Sequence, residues 1–454
     1  MRPAPQPVAR PRAARDGMKP RIIAATASTS SRWIPAPEPC GKRTGVMPSG
    51  QTLRRLTLAL ALLWLALGYA NVVRGTAHLG PRYRFWSFQH LCYSDVIAMH
   101  GDRYLGGGHP RPYLDDRIEY PVLLGVFLWL PHWVPGGALA HFTVTYLLLA
   151  LCLLAALAAL ERTPGARAVW LGATPALVLF APLNWDLLPI ALLAVAALAL
   201  SRGREVRAGA WTGLGICAKL FPGVLVLPAL GALAAGPAEP GARSRRRRIL
   251  GLLVALGLVI AAVNLPVALA APERWAWFFV FNGQRGAENS LWSALHLGKG
   301  PLLEALSAGP LLVASAFSLW AAARAATRGD GQGRDVRAVR LGAALTLVVW
   351  IATNKIWSPQ YALYGFLAGA LAAAPLSLFG VLSAASFVDY WAEFEVRGRR
   401  WEPAFRDLVF QPVNLARTVL WLALALWIGR ELLRESRRPG TLPLNVPLPV
   451  PGPQ

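Results

Sequence analysis

The stretch Cys92–Tyr104, CYSDVIAMHGDRY, places two carboxylates, Asp95 and Asp102, around His100 just beyond the first long apolar run of the chain. A carboxylate fixed at the edge of a bilayer is either a solvated loop residue or a general base that takes a proton from a hydroxyl. The same loop also carries Asp115, Asp116 and Glu119. Three further stretches set charges among aromatic residues: Asn184-Trp185-Asp186, FNGQRGAENS at Phe281–Ser290, and NKIWSPQY at Asn354–Tyr361. Asp186 and Lys355 lie within a few residues of apolar runs. A charge at the centre of hydrocarbon costs roughly 2.5–3.5 kcal/mol on insertion scales, so such groups face a polar cavity or a partner. The bland alternatives are an interfacial belt for the Trp residues and a snorkelling or helix-pairing role for Lys219.

The elements that must position these residues are set by composition. Of 454 residues, 55% are hydrophobic and only 15% charged, against about 25% charged in an ordinary soluble domain. Apolar runs of about 20 residues recur from Leu53 to Trp427, the mark of an all-α polytopic membrane protein. Unbroken runs such as Leu147–Leu160 exclude a β-barrel, whose strands alternate. Spans are expected near 56–73, 138–160, 168–182, 186–201, 249–271, 303–323, 340–352, 360–374, 376–391 and 414–430, for about 10–12 crossings in all. Two segments do not fit as single crossings. Ile118–Pro135 contains three prolines and reads as an interfacial or re-entrant helix, and Lys219-Leu-Phe-Pro222 interrupts 208–235 into two half-helices. Residues 1–52 read as a disordered basic cytoplasmic tail, 53–435 as the membrane domain, and 436–454 as a Pro-rich cytoplasmic tail.

Charge orients these spans. The tails and connections that begin the chain, follow residues 161, 202, 236 and 324, and end it hold 30 of the 46 Lys and Arg but 9 of the 23 carboxylates. Basic loops stay on the cytoplasmic side. The net charge of +23 is therefore mostly topology, and nucleic acid is not an expected partner. With those loops inside, the first loop (Arg74–Glu119), Asn184–Asp186, Trp275–Trp292 and Asn354–Tyr361 all fall on the extracytoplasmic side of a multi-pass plasma-membrane protein. The four cysteines form no C-x-x-C pair and are expected to be unpaired. Gly213-Leu-Gly215-Ile-Cys-Ala218 formally matches a dinucleotide fingerprint but follows no strand and lies in the membrane.

Read in order, CYSDV, RPYLDDRIEYPVLLG, APLNWDLL, CAKLFP, FNGQRGAENSLW and NKIWSPQYAL resemble an actinobacterial integral membrane glycosyltransferase of glycosyltransferase family 87. The resemblance spans about residues 53–430. It implies a GT-C bundle with a large first extracytoplasmic loop, a polyprenyl-phosphate-mannose donor, a lipid or glycan acceptor, and an acidic base in that loop. Asp95 is the position matched to the base, with Asp115 and Asp116 in reserve.

The chemistry agrees with that resemblance. A sugar on a lipid phosphate already has a good leaving group, so one carboxylate must take the acceptor proton and cations must hold the departing phosphate. A glycosidase instead needs two carboxylates at a set separation. Arg285 and Lys355 are assigned to the phosphate, Asp186 and Gln360 to sugar or acceptor hydroxyls, and Tyr361 to the sugar ring. Direct displacement inverts the anomeric centre. No metal cluster is expected, since cations already serve the phosphate, and no cofactor beyond the lipid-linked sugar. A transporter of lipid-linked sugars would also use a broken helix, but it would show duplicated halves and polar residues lining both faces. A non-catalytic scaffold leaves the charges at the apolar helix ends unexplained.

Overall fold

A computed structural model describes residues 50–80, 82–104, 110–236, 244–328 and 334–438. Most of both expected tails lies outside the described residues. The first helix begins at Gly50, and the last runs through Arg437.

The described chain is helical. In order, the helices of seven or more residues are α1 (Gly50–Val73), α2 (Tyr83–Gln89), α3 (Asp95–Tyr104), α4 (Val122–Trp129), α5 (Gly137–Arg162), α6 (Leu187–Ser201), α7 (Glu205–Ala218), α8 (Val226–Ala235), α9 (Arg245–Ala270), α10 (Pro272–Gln284), α11 (Pro301–Thr327), α12 (Arg334–Thr353), α13 (Ala362–Ala372), α14 (Leu376–Gly398) and α15 (Gln411–Arg437). Among the described residues, six helical stretches are long and apolar enough to cross a membrane; they contain α1, α5, α9, α11, α12 and α15. The chain is thus a multi-pass membrane protein. These helices differ in place. Within its most apolar window α12 is 78% buried and α9 only 6%, so α12 is the central pillar and α9 turns most of its surface to lipid.

Two expected spans are shorter or broken, and the segment expected not to cross singly is short as well. Residues 168–182 form two one-turn helices, Val169–Gly172 and Leu177–Phe180, on either side of Thr174-Pro175. Proline lacks the N–H of a continuing helix and biases its predecessor away from helical angles. Helix α13 has only 11 residues, all buried; at 1.5 Å per residue it covers roughly 16 Å and lies inside the bundle. The segment at Ile118–Pro135 gives α4 and a 3-10 turn, Leu130–Trp133, short of a full crossing.

The interruption at Lys219 is where the sequence placed it. Helix α7 stops at Ala218, Lys219 is extended (φ −154°, ψ 148°), and a 3-10 turn at Phe221–Leu225 leads into α8. Each half is gripped by a different spanning helix through a glycine. A Cβ on Gly209 would sit 2.1 Å from the Leu252 carbonyl oxygen of α9, and one on Gly231 2.2 Å from that of Leu319 in α11. Backbones approach this closely only where the side chain is absent. The half-helices are held independently, which keeps the extended residue between them in place.

Candidate active site

Asp95 is the first residue of α3, where the positive end of the helix favours a carboxylate. Its backbone N–H donates to the Leu183 carbonyl at 2.8 Å, and the neighbouring Ser94 Oγ donates to Pro182 O at 2.6 Å. The start of α3 is thereby fastened to the segment before α6. The carboxylate accepts from Tyr93 Oη at 2.9 Å and from Asn184 Nδ2 at 2.7 Å. Burial pushes the Asp95 carboxyl above its ordinary range, while those two hydrogen bonds and the charge of Lys219 pull it back. A carboxylate raised in this way is a better proton acceptor.

A cavity of about 620 Å³ opens beside it. Of the residues singled out in the sequence, Asp95, Arg285, Lys355, Gln360 and Tyr361 line its wall. Arg285 and Lys355 come together because their segments are stitched by a short parallel bridge. Glu288 N donates to Lys355 O at 2.9 Å and Trp357 N to Glu288 O at 2.8 Å. Each cation carries a carboxylate partner: Arg285 grips Glu288 through Nε at 2.9 Å, and Lys355 Nζ reaches Glu304 at 2.6 Å. Gln360 Oε1 accepts from Ser358 Oγ at 2.7 Å. Tyr361 lies 5.3 Å from the Trp350 ring, which also lines the cavity.

The remaining candidates lie elsewhere. Asp186 is fully buried and does not reach the wall; it forms an ion pair with Lys219. Asp115 is exposed and held by Arg111 through two 2.9 Å contacts, and that guanidinium keeps its carboxyl down at about 2. Asp116 Oδ1 accepts from the Arg117 N–H at 2.8 Å. Neither reserve carboxylate lines the cavity, whereas Glu119 of the same loop does. Asp102 pairs with Arg84 at the surface.

Of the two roles expected for Lys219, the structure shows pairing between helical segments and no snorkelling: its ammonium pairs with Asp186 and lies 5.8 Å from the ring centroids of both Tyr120 and Tyr361. It lines the cavity together with Tyr120 and Asn184. The available signal was the broken helix, because an extended residue aims its side chain away from the helix surface. Among the described residues, one group of His, Cys or carboxylate side chains converges closely enough to hold a metal, His100, His132 and His141, and none of them lines this cavity.

A bundle of membrane-crossing helices with a charged and aromatic cavity defines a multi-pass membrane protein with room for a polar ligand. Residues 119–353 match the profile of glycosyltransferase family 87. That match covers more than half of the chain, and the protein belongs to this family: it is a membrane glycosyltransferase. No curated protein and no solved structure is matched by the chain. The matched region contains Asn184, Lys219, Arg285 and Glu288, while Asp95 precedes it and Lys355, Gln360 and Tyr361 follow it.

Proposed function

We propose that the protein transfers a hexose, with mannose as the first candidate, from a polyprenyl-phosphate sugar to a lipid or glycan acceptor on the extracytoplasmic face of the plasma membrane. The observation that carries this reading is the cavity's shape and lining. Its charged part holds Asp95, Arg285, Lys355 and Lys219. Through Tyr120, Pro121, Leu220, Phe278 and Phe279 it adjoins an apolar chamber of about 140 Å³ that adds Val122, Ile216 and Ile260. A lipid phosphate has this dual character, a charged head on an apolar chain.

In the proposed reaction the Asp95 carboxylate takes the proton of an acceptor hydroxyl as its oxygen attacks the anomeric carbon. The bond from that carbon to the phosphate oxygen breaks, its electron pair stays on the phosphate, and the configuration inverts. Arg285, Lys355 and Lys219 stabilise the phosphate that leaves; their carboxylate partners fix them in advance, so little reorganisation accompanies charge transfer. Gln360 binds a hydroxyl and Tyr361 packs on the sugar. Asp186 acts indirectly, by positioning Lys219.

The test is Asp95→Asn, which keeps size and hydrogen bonding but cannot accept the proton. Losing a general base costs about 10²–10⁴-fold in rate. Asp102→Asn is the matched control, because its surface pair with Arg84 lies off the cavity and such pairs contribute little. The expected outcome, in transfer from a polyprenyl-phosphate sugar, is an inactive Asp95→Asn protein that still binds donor beside an active Asp102→Asn protein. Full activity in Asp95→Asn would transfer the role of base to Glu119, the other first-loop carboxylate on the wall.

A further inference from the structure

Three imidazoles from three elements meet away from the transfer cavity. His100 belongs to α3, His132 to the 3-10 turn at Leu130–Trp133, and His141 to the opening turns of α5. His100 and His141 are buried. The ring centroids of His100 and His141 are 4.9 Å apart, those of His100 and His132 5.8 Å, and those of His132 and His141 6.2 Å. One ring nitrogen of each lies within 4.8 Å of the others. Around a tetrahedral ion with metal–nitrogen bonds of about 2.0–2.1 Å, ligand nitrogens sit roughly 3.3 Å apart, so the three rings must draw closer to share one ion.

We propose that His100, His132 and His141 bind one transition-metal ion of the zinc class and that this ion clamps α3 to the α4–α5 corner. The donor set decides the class. Three imidazole nitrogens suit Zn²⁺, Co²⁺, Ni²⁺ or Cu²⁺, whereas Mg²⁺ and Ca²⁺ require oxygen ligands. Packing alone accounts less well for the cluster. Three rings that can all become cationic are a poor choice for filling an apolar corner, where an aliphatic or aromatic side chain would incur no desolvation of a polar atom. The clamp bears on catalysis through position: α3 begins with Asp95 and contains His100, so an ion on His100 restrains the helix that presents the carboxylate. His100 is thus a positioning residue in this reading, with no contact to substrate.

The experiment uses the full-length, tag-free protein in detergent, stripped with a chelator and titrated with Co²⁺ and then Zn²⁺. The expected result is one ion bound per chain, visible ligand-field bands with Co²⁺ that Zn²⁺ abolishes, and a rise in unfolding temperature with added Zn²⁺, as binding to the native state requires. His141→Ala should lose all three signals. His100→Phe keeps a ring in the corner while removing a ligand, and should lose the metal signals yet match the unfolding temperature of the chelator-treated parent. His78→Ala and His90→Ala, which alter a separate ring stack on Trp86, should bind the ion as the parent does. Absence of a stoichiometric ion in the parent, or binding by His100→Phe and His141→Ala as strong as the parent's, would overturn the proposal and leave the three rings as packing. The metal readouts do not depend on sugar transfer, so failure here and failure of the transferase mechanism are distinguishable.

Discussion

At the scale of single residues the cavity separates two kinds of cation. Lys219 faces Asp186, which is fully buried, so Lys219→Ala leaves an uncompensated buried carboxylate, a change that costs about 3–5 kcal/mol. Arg285 and Lys355 pair with carboxylates that remain about half exposed, Glu288 and Glu304, and water can solvate these once the cation is gone. Lys219→Ala should therefore lower the yield of folded protein, with Lys219→Met plus Asp186→Asn restoring it. Arg285→Ala and Lys355→Ala should fold normally and lose about 10²–10³-fold in transfer rate. Thermal unfolding beside single-turnover rates separates the two classes, and unimpaired turnover in both of the latter would place the phosphate elsewhere. Asp95 predicts a pH profile. Its carboxyl is raised by burial and must be ionised to act, so kcat/KM should fall as pH drops through a value above the ordinary carboxylate range. Asn184→Ala and Tyr93→Phe each remove a hydrogen bond that favours the ionised form, so both should move that acid limb to higher pH. A limb that stays fixed in both variants would contradict the assignment of Asp95.

At the scale of elements, a buried polar network holds the cavity-lining segments in register. Arg417 of α15 donates to Asp389 of α14 at 2.5 Å and to the Asn289 carbonyl at 2.7 Å. Its guanidinium lies 4.1 Å from the Trp357 ring centroid, and Trp357 Nε1 donates to Asp389 at 3.0 Å. One arginine thus joins two helices to both segments that carry Arg285 and Lys355. Arg417→Met should destabilise the fold by about 3–5 kcal/mol, since Asp389 is left buried without its partner. Adding Asp389→Asn should recover stability while transfer stays impaired, because the segments lose their shared anchor. Recovery of both would reduce the network to a stability role. The sequence already showed the helical class, the break at Lys219 and the charged stretches that carry Asp95, Arg285 and Lys355, because apolar period, proline and intramembrane charge are local signals. It did not show that Lys219 meets Asp186, that Glu304 meets Lys355, or that three histidines converge. Those pairings join residues 33 to 51 positions apart, or three separate elements, and depend on how helices pack. The short α13 and the break within 168–182 were not legible for the same reason: apolar composition serves a short buried helix as well as a long crossing one.

At the scale of the whole molecule, charge and cavity occupy opposite ends of the same helices. Helix α12 begins with Arg334 and contains Arg337 and Arg340, and its last residue, Thr353, directly precedes Asn354-Lys355 of the cavity wall. Twenty residues at 1.5 Å each separate those ends by roughly 30 Å, the thickness of a hydrocarbon core. Helix α9 repeats the pattern, from Arg245–Arg248 at its start to α10, which supplies Phe278 and Phe281, just after its end. The basic ends are tied together by Arg54–Glu161, Arg248–Glu205 and Arg337–Glu431, so one face of the bundle is basic and the cavity lies toward the other. The positive-inside rule then predicts that the cavity faces away from the cytoplasm, as the proposed function requires. Single cysteines on a background without the native four make this testable. Ser244 precedes the arginines of α9, and Lys299 lies between α10 and α11 beyond the cavity segment; both are exposed. A membrane-impermeant maleimide applied to intact cells should label Lys299→Cys, and should label Ser244→Cys only after the membrane is opened. The reverse pattern would place the cavity in the cytoplasm, where sugar nucleotides replace lipid-linked sugars as the natural donors, and the proposed donor would fall with it.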